Sequence, residues 1–427
     1  MKLPIFRLFT GTEFGKNVMI LFTGASLSQL IPLLAEPVLT RLFAPEDFGI
    51  LALYISVTAL FSIIASGRYE LAVMLPGKDQ QAVNLVGLSF FITLGMTIFS
   101  LIIVHVFNEA ICTLLNSEAL SPYLYLVPAT VLCLGIWQTL NYWTSRNKRF
   151  AFVAASRVTQ SLGNAGAAIL FGIRKMAATG LVTAYIIGQF LSIIPLVSSF
   201  FKHDRDKLKQ INRRDMIKMG REYVDFPKIN SIHAFSDSLQ LSGVAFLISY
   251  FFNQAVLGFY SRTFRIMMVP AGFIGSSIAQ VFYQKASETW AKGDNIKPLV
   301  KKTMLNISVI SLCIFSVIFF FGPPIFGFVL GEKWTVAGEY AQILSPWIFL
   351  KFIISPVSQV PMIVSRQKQM FLYSTIANIF IIFSIFYGGY FVNDIKYGFY
   401  LLTVTQSIYC IFMIFWLIKI SGIRNKE

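Results

Sequence analysis

The chain has 427 residues, of which 56% are hydrophobic and only 13% are charged, and its mean hydropathy is +0.66. A soluble domain usually contains about 45–50% apolar and about 25% charged residues, so this composition excludes an ordinary soluble protein. The formal net charge of +16 would suggest a nucleic-acid partner in a soluble protein. We expect no nucleic acid here, because most of the basic residues follow a membrane topology.

Apolar segments of helical period predict an all-α polytopic membrane protein with about twelve transmembrane helices. We predict two six-helix bundles around a central cavity. The first bundle is assigned to residues 1–201, a cytoplasmic amphipathic linker to 202–228 and the second bundle to 229–427. Basic residues concentrate in alternate connections, and the positive-inside rule then predicts that both termini are cytoplasmic.

The linker has a helical pattern of its own. Its apolar residues fall roughly on one face, namely Leu208, Ile211, Met216, Met219 and Tyr223. Most of its basic residues lie elsewhere, so we expect an amphipathic helix on the anionic inner leaflet. A regulatory or partner-binding role is the alternative.

The second half of the chain echoes the first, at offsets that rise steadily along the sequence. The matched segments are Phe43–Gly49 with Phe252–Gly258, Phe107 and Ile111 with Phe321 and Ile325, Pro128 with Pro346, and Ser145–Lys148 with Ser365–Lys368. We therefore predict parallel repeats related by an axis along the membrane normal; chance similarity between apolar helices is the alternative.

Several predicted spans contain ionisable side chains, which cost about 2.5–3.5 kcal/mol at the centre of a membrane helix. The basic ones are Arg68, Arg157, Arg262, Arg265 and Lys351. Arg262 and Arg265 share one helix face at a spacing that suits bidentate binding of phosphate, although both could instead reach the outer headgroups. Lys351 has no acidic residue within a turn. Arg68 and Arg157 could face a cavity or form interhelical ion pairs.

Three acids complete this set. Glu36 lies between Pro32 and Pro37, where we expect a broken helix, and Asp237 lies near the middle of its span. Glu70 follows Arg68 by two residues. On a regular helix, side chains at this spacing point in different directions, which argues against a direct ion pair. Each acid is a candidate for proton or cation coupling, or a static counter-charge to the arginines.

The sequence lacks the elements of common membrane enzymes and pumps. Gly331–Thr335 does not have the glycine and Lys-Ser/Thr spacing of a phosphate-binding loop. The four cysteines and three histidines show no metal-ligand spacing, so neither a metal nor a cofactor is expected. We therefore predict a transporter and not an enzyme.

Some segments resemble a known family. They are Val38–Gly49, Arg68–Pro76, Tyr223–Pro227 and Leu257–Tyr260 with Ala279–Phe282. This pattern resembles Wzx-type O-antigen flippases of the multidrug/oligosaccharidyl-lipid/polysaccharide exporter superfamily. The resemblance implies a multi-pass protein of the bacterial inner membrane that moves an undecaprenyl-diphosphate-linked oligosaccharide by alternating access. It also implies membrane lipids, a polysaccharide polymerase and a chain-length regulator as partners.

The family's cationic cavity maps onto Arg41, Arg68, Arg262, Arg265 and Lys351 in this sequence. A drug/cation antiporter of the same superfamily is the second hypothesis, although a cationic substrate would favour acidic walls. A membrane-embedded polymerase or acyltransferase is the third, and it would be expected to have larger extracytoplasmic loops than this sequence predicts.

Overall fold

The computed structural model describes residues 13–422, and within that range the regular structure is entirely helical. The α-helices are α1 Glu13–Leu42, α2 Pro45–Ser62, α3 Tyr69–Ala72, α4 Asp79–Leu114, α5 Ser121–Leu124, α6 Val127–Arg146, α7 Phe150–Ile173, α8 Ala177–His203, α9 Arg213–Glu222, α10 Ser231–Phe251, α11 Gln254–Pro270, α12 Ser276–Ala291, α13 Lys297–Leu330, α14 Thr335–Ile354, α15 Val360–Ile363, α16 Gln367–Tyr387 and α17 Ile395–Ile420. The all-α prediction is confirmed for this part of the chain.

The chain divides into two compact units, Met1–Phe246 and Leu247–Glu427. The division falls inside α10, because the first part of that helix packs on the first unit. There the Ser242 hydroxyl donates a hydrogen bond to the carbonyl of Ser56 at 3.1 Å. The linker at 202–228 lies within the first unit. The division into six-helix bundles at 1–201 and 229–427 stays a prediction.

Six of the described helical segments are long and apolar enough to cross a membrane, and eight qualify if two bent pairs are each one span. One such pair joins Glu118–Leu124 to Val127–Arg146 with a bend of 52°. The protein is therefore a multi-pass membrane protein. The count of about twelve spans stays a prediction. Helices such as α2, which has 18 residues and begins with Pro45-Glu46-Asp47, are at the limit of the required length.

A proline inside a helix leaves the carbonyl four residues earlier without its usual backbone donor. At several positions in the long helices, this carbonyl accepts a hydrogen bond from a side chain instead. Pro32 cannot donate to the carbonyl of Ser28, which instead accepts a hydrogen bond from Ser161 at 2.7 Å. In the same way Gln342 donates to the carbonyl of Phe319, four residues before Pro323, at 2.7 Å. Side chains of neighbouring helices thus replace the missing N–H groups.

This compensation corrects one expectation about α1. The helix is continuous from Glu13 to Leu42 through both Pro32 and Pro37, whereas a broken helix was predicted around Glu36. The Glu36 carbonyl, which lies four residues before Thr40 and not four residues before a proline, also accepts a hydrogen bond from the Thr40 hydroxyl at 2.9 Å. The carbonyls near Glu36 are therefore not freed by a break in the helix.

The long helices α4 and α13 carry the clearest structural trace of the repeat. Each has one residue with non-helical backbone angles in its interior: Phe107 (φ −111°, ψ 16°) and Phe321 (φ −126°, ψ 18°). These two residues are a pair that the sequence comparison matched. A second matched pair, Ser145–Lys148 with Ser365–Lys368, is out of register. The residue in the left-handed region before the next helix is Lys148, the last of its segment, in one copy and Ser365, the first of its segment, in the other. Short apolar matches are easily displaced by one helical turn.

The linker forms the predicted amphipathic helix, α9, but its apolar side packs on protein. Met219 is buried, and Ile211 lies so close to Gly87 of α4 that a Cβ added there would be 2.9 Å from its Cγ2. The Tyr69 hydroxyl donates to the carbonyl of Gly220 at 2.8 Å. The apolar side of the linker therefore faces protein at these residues, because the start of α4 supplies an apolar surface for it. The location of the linker at the anionic inner leaflet stays a prediction.

Candidate functional site

Lys351 is the most distinctive ionisable side chain of the second unit. It lies in α14 with an exposed side chain, and its ammonium nitrogen is 5.1 Å from the ring centre of Trp347 and 5.6 Å from that of Phe264. No carboxylate of the described residues is within ion-pair distance of its Nζ. Cation–π contacts of this kind stabilise a charge by about 0.5–2 kcal/mol without neutralising it. A protonated Lys351 therefore has no acidic partner among the described residues.

An aromatic row positions this lysine. Phe264 of α11 is 6.0 Å from Trp347, and Tyr260 stacks on Phe264 at 5.8 Å and on Phe399 of α17 at 5.5 Å between ring centres. These contacts join α11, α14 and α17. Aromatic rings lose little conformational entropy on packing, so the row holds the ammonium in a defined place.

The same helix α11 carries both predicted arginines. Arg262 is buried at 6% exposure, whereas Arg265 is exposed, and both have contacts within the protein. Between them, the Thr263 hydroxyl donates to the carbonyl of Ala337 in α14 at 2.8 Å and fixes α11 against that helix. Phe264, which lies between Arg262 and Arg265 on α11, contacts Lys351 of α14.

The first unit places Arg68 and Glu70 differently from the prediction. The expected continuous span ends at Ser62, and the turn at residues 63–68 includes Gly67 (φ 63°) and Arg68 (φ 61°) in the left-handed region. This turn lets Arg68 Nη1 approach Glu70 Oε1 to 3.5 Å, and the Ser66 hydroxyl also donates to Glu70. The prediction that Arg68 and Glu70 do not pair is wrong, because they do not lie on one regular helix.

The remaining predicted residues are spread over the first unit. Arg41 is exposed and donates from Nη1 to the carbonyl of Pro37 at 2.7 Å, and Glu36 is buried at 3% exposure. Arg157 is half-buried in α7 and has no ion pair with a described residue. Asp237 is exposed on α10 and has contacts within the protein. Within the first unit the structure brings Arg68 together with Glu70, and within the second unit it brings Lys351 against Phe264 of α11. The cationic cavity formed by the full set stays a prediction.

Sequence reasoning missed an ion network at one end of the first unit. Asp204, which is 2% exposed, accepts hydrogen bonds from Arg149, from the Trp143 indole at 3.0 Å and from Lys207 at 3.1 Å. Lys207 also pairs with Asp79 at 2.7 Å. The signal in the sequence is weak, because Asp204 is one acid within a strongly basic linker.

The network also shifts the ionisation of its members. Burial acts to raise the pKa of Asp204, but the hydrogen bonds from Arg149, Trp143 and Lys207 outweigh it and lower the pKa below the ordinary carboxyl value. Burial likewise acts to lower the pKa of Lys207, while Asp79 and Asp204 raise it overall. Both groups are therefore held in their charged forms.

The described residues contain no group of three or more His, Cys, Asp or Glu side chains that could hold a metal ion. The expectation of a chain without cofactor stays an expectation.

The comparisons with known proteins agree with a transport role. A family model described as polysaccharide biosynthesis protein matches residues 38–339. A protein of Shigella dysenteriae that is named as an O-antigen transporter is 22% identical over 358 residues, which cover 81% of this chain and 86% of that protein. The succinoglycan biosynthesis transport protein ExoT of Rhizobium meliloti (strain 1021) is 20% identical over 329 residues. That alignment covers 75% of this chain but only 63% of ExoT.

Two solved structures share the fold. The lipid II flippase MurJ in its inward closed conformation has a TM-score of 0.70 and 15% identity, covering 94% of this chain and 90% of MurJ. An inward-facing multidrug resistance transporter of the MATE family, in the MOP superfamily, also has a TM-score of 0.70, with 13% identity. It covers 92% of this chain and 94% of that transporter. At these identities the similarity concerns the fold alone.

Proposed function

Because the chain belongs to the family of polysaccharide biosynthesis proteins, we propose that it is a flippase for a lipid-linked oligosaccharide. Its substrate is an undecaprenyl-diphosphate-linked repeat unit of O-antigen or a related polysaccharide. The protein moves this substrate across the bacterial inner membrane by alternating access of a central cavity. Both termini are cytoplasmic in this proposal.

The observation that carries the proposal is the uncompensated charge of Lys351. Its ammonium lies over the aromatic faces of Trp347 and Phe264, and no carboxylate of the described residues forms an ion pair with it. A charge held in this way in a membrane helix calls for an anion, and a diphosphate supplies one. The nearby arginines of α11 offer planar donors that suit phosphate oxygens, and the aromatic row offers surfaces on which sugars stack.

The charges argue against the second hypothesis, a drug/cation antiporter. The MATE-family structure shares the fold equally well, so the fold does not distinguish the two functions. A cationic substrate would need acidic groups beside it, whereas α11 and α14, which contact each other through Phe264 and Lys351, carry the basic residues Arg262, Arg265 and Lys351. The third hypothesis, a polymerase or acyltransferase, has no support from the relatives, which are named for transport.

Deletion of the gene, followed by extraction of lipid carriers, tests the proposal. We expect undecaprenyl-diphosphate-linked repeat units to accumulate on the cytoplasmic face, and surface polysaccharide to be lost. Complementation with the unaltered gene should reverse both effects. An unchanged lipid pool together with increased drug sensitivity would contradict the proposal and favour the antiporter.

Flippases of this kind act before polymerisation, so a polysaccharide polymerase and a chain-length regulator are the proposed protein partners. Co-purification of either protein with the tagged chain from native membranes would support this part of the proposal.

A further inference from the structure

The outer face of the linker helix α9 is strongly basic and is not used by the proposed transport site. Residues at positions i, i+1, i+4, i+5 and i+8 of a helix share one face. In α9 these positions hold Arg213, Arg214, Ile217, Lys218 and Arg221, and all five side chains are exposed. We call this set the linker basic face.

Contacts on the opposite face fix the direction of the linker basic face. Met219 is buried, and Gly220 accepts a hydrogen bond from Tyr69. At the start of α9, Asn84 of α4 donates to the carbonyl of Gln210 at 3.0 Å and accepts from the backbone N–H of Asn212 at 3.0 Å. The helix is therefore held by its apolar side, and its basic side points away from the first unit.

The place where α9 packs along the spanning helices determines the level of the linker basic face relative to the membrane. The apolar span α8 ends at His203, one residue before Asp204, and the apolar span α4 begins at Asp79. The contacts of α9 are with the first turns of α4, at Asn84 and Gly87, and Lys207 ties the preceding turn to Asp79. The linker therefore lies where two membrane spans meet the aqueous phase, which is the level of lipid headgroups.

We propose that the linker basic face binds the headgroups of anionic phospholipids at this membrane surface. Each Lys or Arg close to an anionic bilayer contributes favourable electrostatic energy, and the effect falls off within a Debye length. Ile217, which is 47% exposed at the centre of the face, supplies an apolar side chain for the boundary between headgroups and acyl chains. This inference does not depend on the transported substrate.

Native mass spectrometry of the full-length protein in detergent tests the inference, with phosphatidylglycerol and phosphatidylcholine as the probes. The unaltered chain should bind phosphatidylglycerol more tightly than phosphatidylcholine. The fourfold variant Arg213→Gln, Arg214→Gln, Lys218→Gln, Arg221→Gln should lose at least about tenfold in phosphatidylglycerol affinity, with little change for phosphatidylcholine.

Two control variants make the result specific. Four exposed lysines of the second unit, Lys285, Lys292, Lys301 and Lys302, replaced by Gln give the same change of net charge. This control should keep its phosphatidylglycerol affinity within about threefold, because headgroup attraction acts locally. A variant with Arg213→Lys, Arg214→Lys and Arg221→Lys keeps the charge and should bind as the unaltered chain does.

An unchanged phosphatidylglycerol affinity in the fourfold Gln variant would overturn the proposal. An equal loss in the Lys variant would also overturn it, because attraction between charges predicts that lysines substitute for the arginines. All substituted side chains are exposed, so folding is expected to persist, and unaltered phosphatidylcholine binding by the same samples verifies this.

Discussion

At the scale of single residues, the useful distinction is between charges that have an internal partner and charges that do not. Asp204 is surrounded by donors, and Glu70 is paired with Arg68. Lys351 lies over the aromatic faces of Trp347 and Phe264 and forms no ion pair with a described carboxylate. The sequence predicted where charges interrupt apolar segments, but it did not predict their partners, because pairing depends on turns such as the one at Gly67-Arg68.

Replacing Lys351 tests whether its charge acts on the substrate. Lys351→Ala should lower polysaccharide export by about tenfold to a hundredfold, because a hydrogen bond to a charged group contributes about 1.5–3 kcal/mol. Lys351→Arg should retain most of the export. The measurement is the amount of surface polysaccharide at equal protein level in the membrane. Lys302→Ala, at an exposed lysine of α13, is the matched control and should behave normally. Normal export by Lys351→Ala would rule out this residue as a substrate contact.

Asp204 belongs to the stability of the first unit, and we predict a pH-dependent effect. Its folded-state pKa is lowered, so its carboxylate contributes stability above the ordinary value of about 3.9, and that contribution is lost as the pH falls through the folded pKa. Asp204→Asn should therefore reduce the free energy of unfolding at pH 7 by about 1–3 kcal/mol.

Thermal unfolding of the purified protein between pH 7 and pH 3 measures this effect. The difference between Asp204→Asn and the unaltered chain should narrow as the pH approaches the lower limit. The raised pKa of Lys207 does not interfere, because its contribution persists at every pH below the ordinary lysine value. An equal difference at all pH values would show that the lost packing, and not the charge, matters at this position.

At the scale of helices, hydrophobic period and helix-stop residues predicted most elements well. The ends of α8 and α17 follow the apolar segments closely, because each of these helices is long and apolar enough to cross a membrane. The repeat was also visible, since Phe107 and Phe321 occupy equivalent kinks. The turn after α2 and the protein contact of α9 were not predictable, because both depend on a tertiary partner, and no local pattern records that partner.

The packing of the linker on α4 gives a prediction at this scale. Gly87→Val should displace the linker, because a side chain there would overlap Ile211, and cleavage of the native protein by trypsin at Arg213, Arg214 or Lys218 should become faster. Gly95→Val on the same helix is the control, since a Cβ there meets no described atom within 4 Å. Both variants alter helix propensity equally. Equal cleavage rates in the two variants would contradict the docking of α9 on α4.

At the scale of the whole molecule, the family and the relatives named for transport indicate a transporter, while the proposed substrate rests on local chemistry. The same fold serves lipid flippases and drug exporters, as the two similar structures illustrate. What favours a diphosphate-linked substrate in this proposal is the basic character of α11 and α14, which carry Arg262, Arg265 and Lys351. A polar headgroup cannot cross hydrocarbon unaided, whereas its polyprenyl tail prefers hydrocarbon, so a cationic pathway open to the lipid phase satisfies both parts.

Reconstitution into proteoliposomes measures the central claim most directly. A polyprenyl-diphosphate oligosaccharide with a fluorescent label on its sugar is placed in both leaflets, and a membrane-impermeant quencher or lectin reports which molecules become accessible from outside. Vesicles with the unaltered protein should make nearly all of the label accessible, whereas protein-free vesicles should stop at about half. Vesicles with Lys351→Ala should reach the same end point more slowly. No difference between protein-containing and protein-free vesicles would contradict the account.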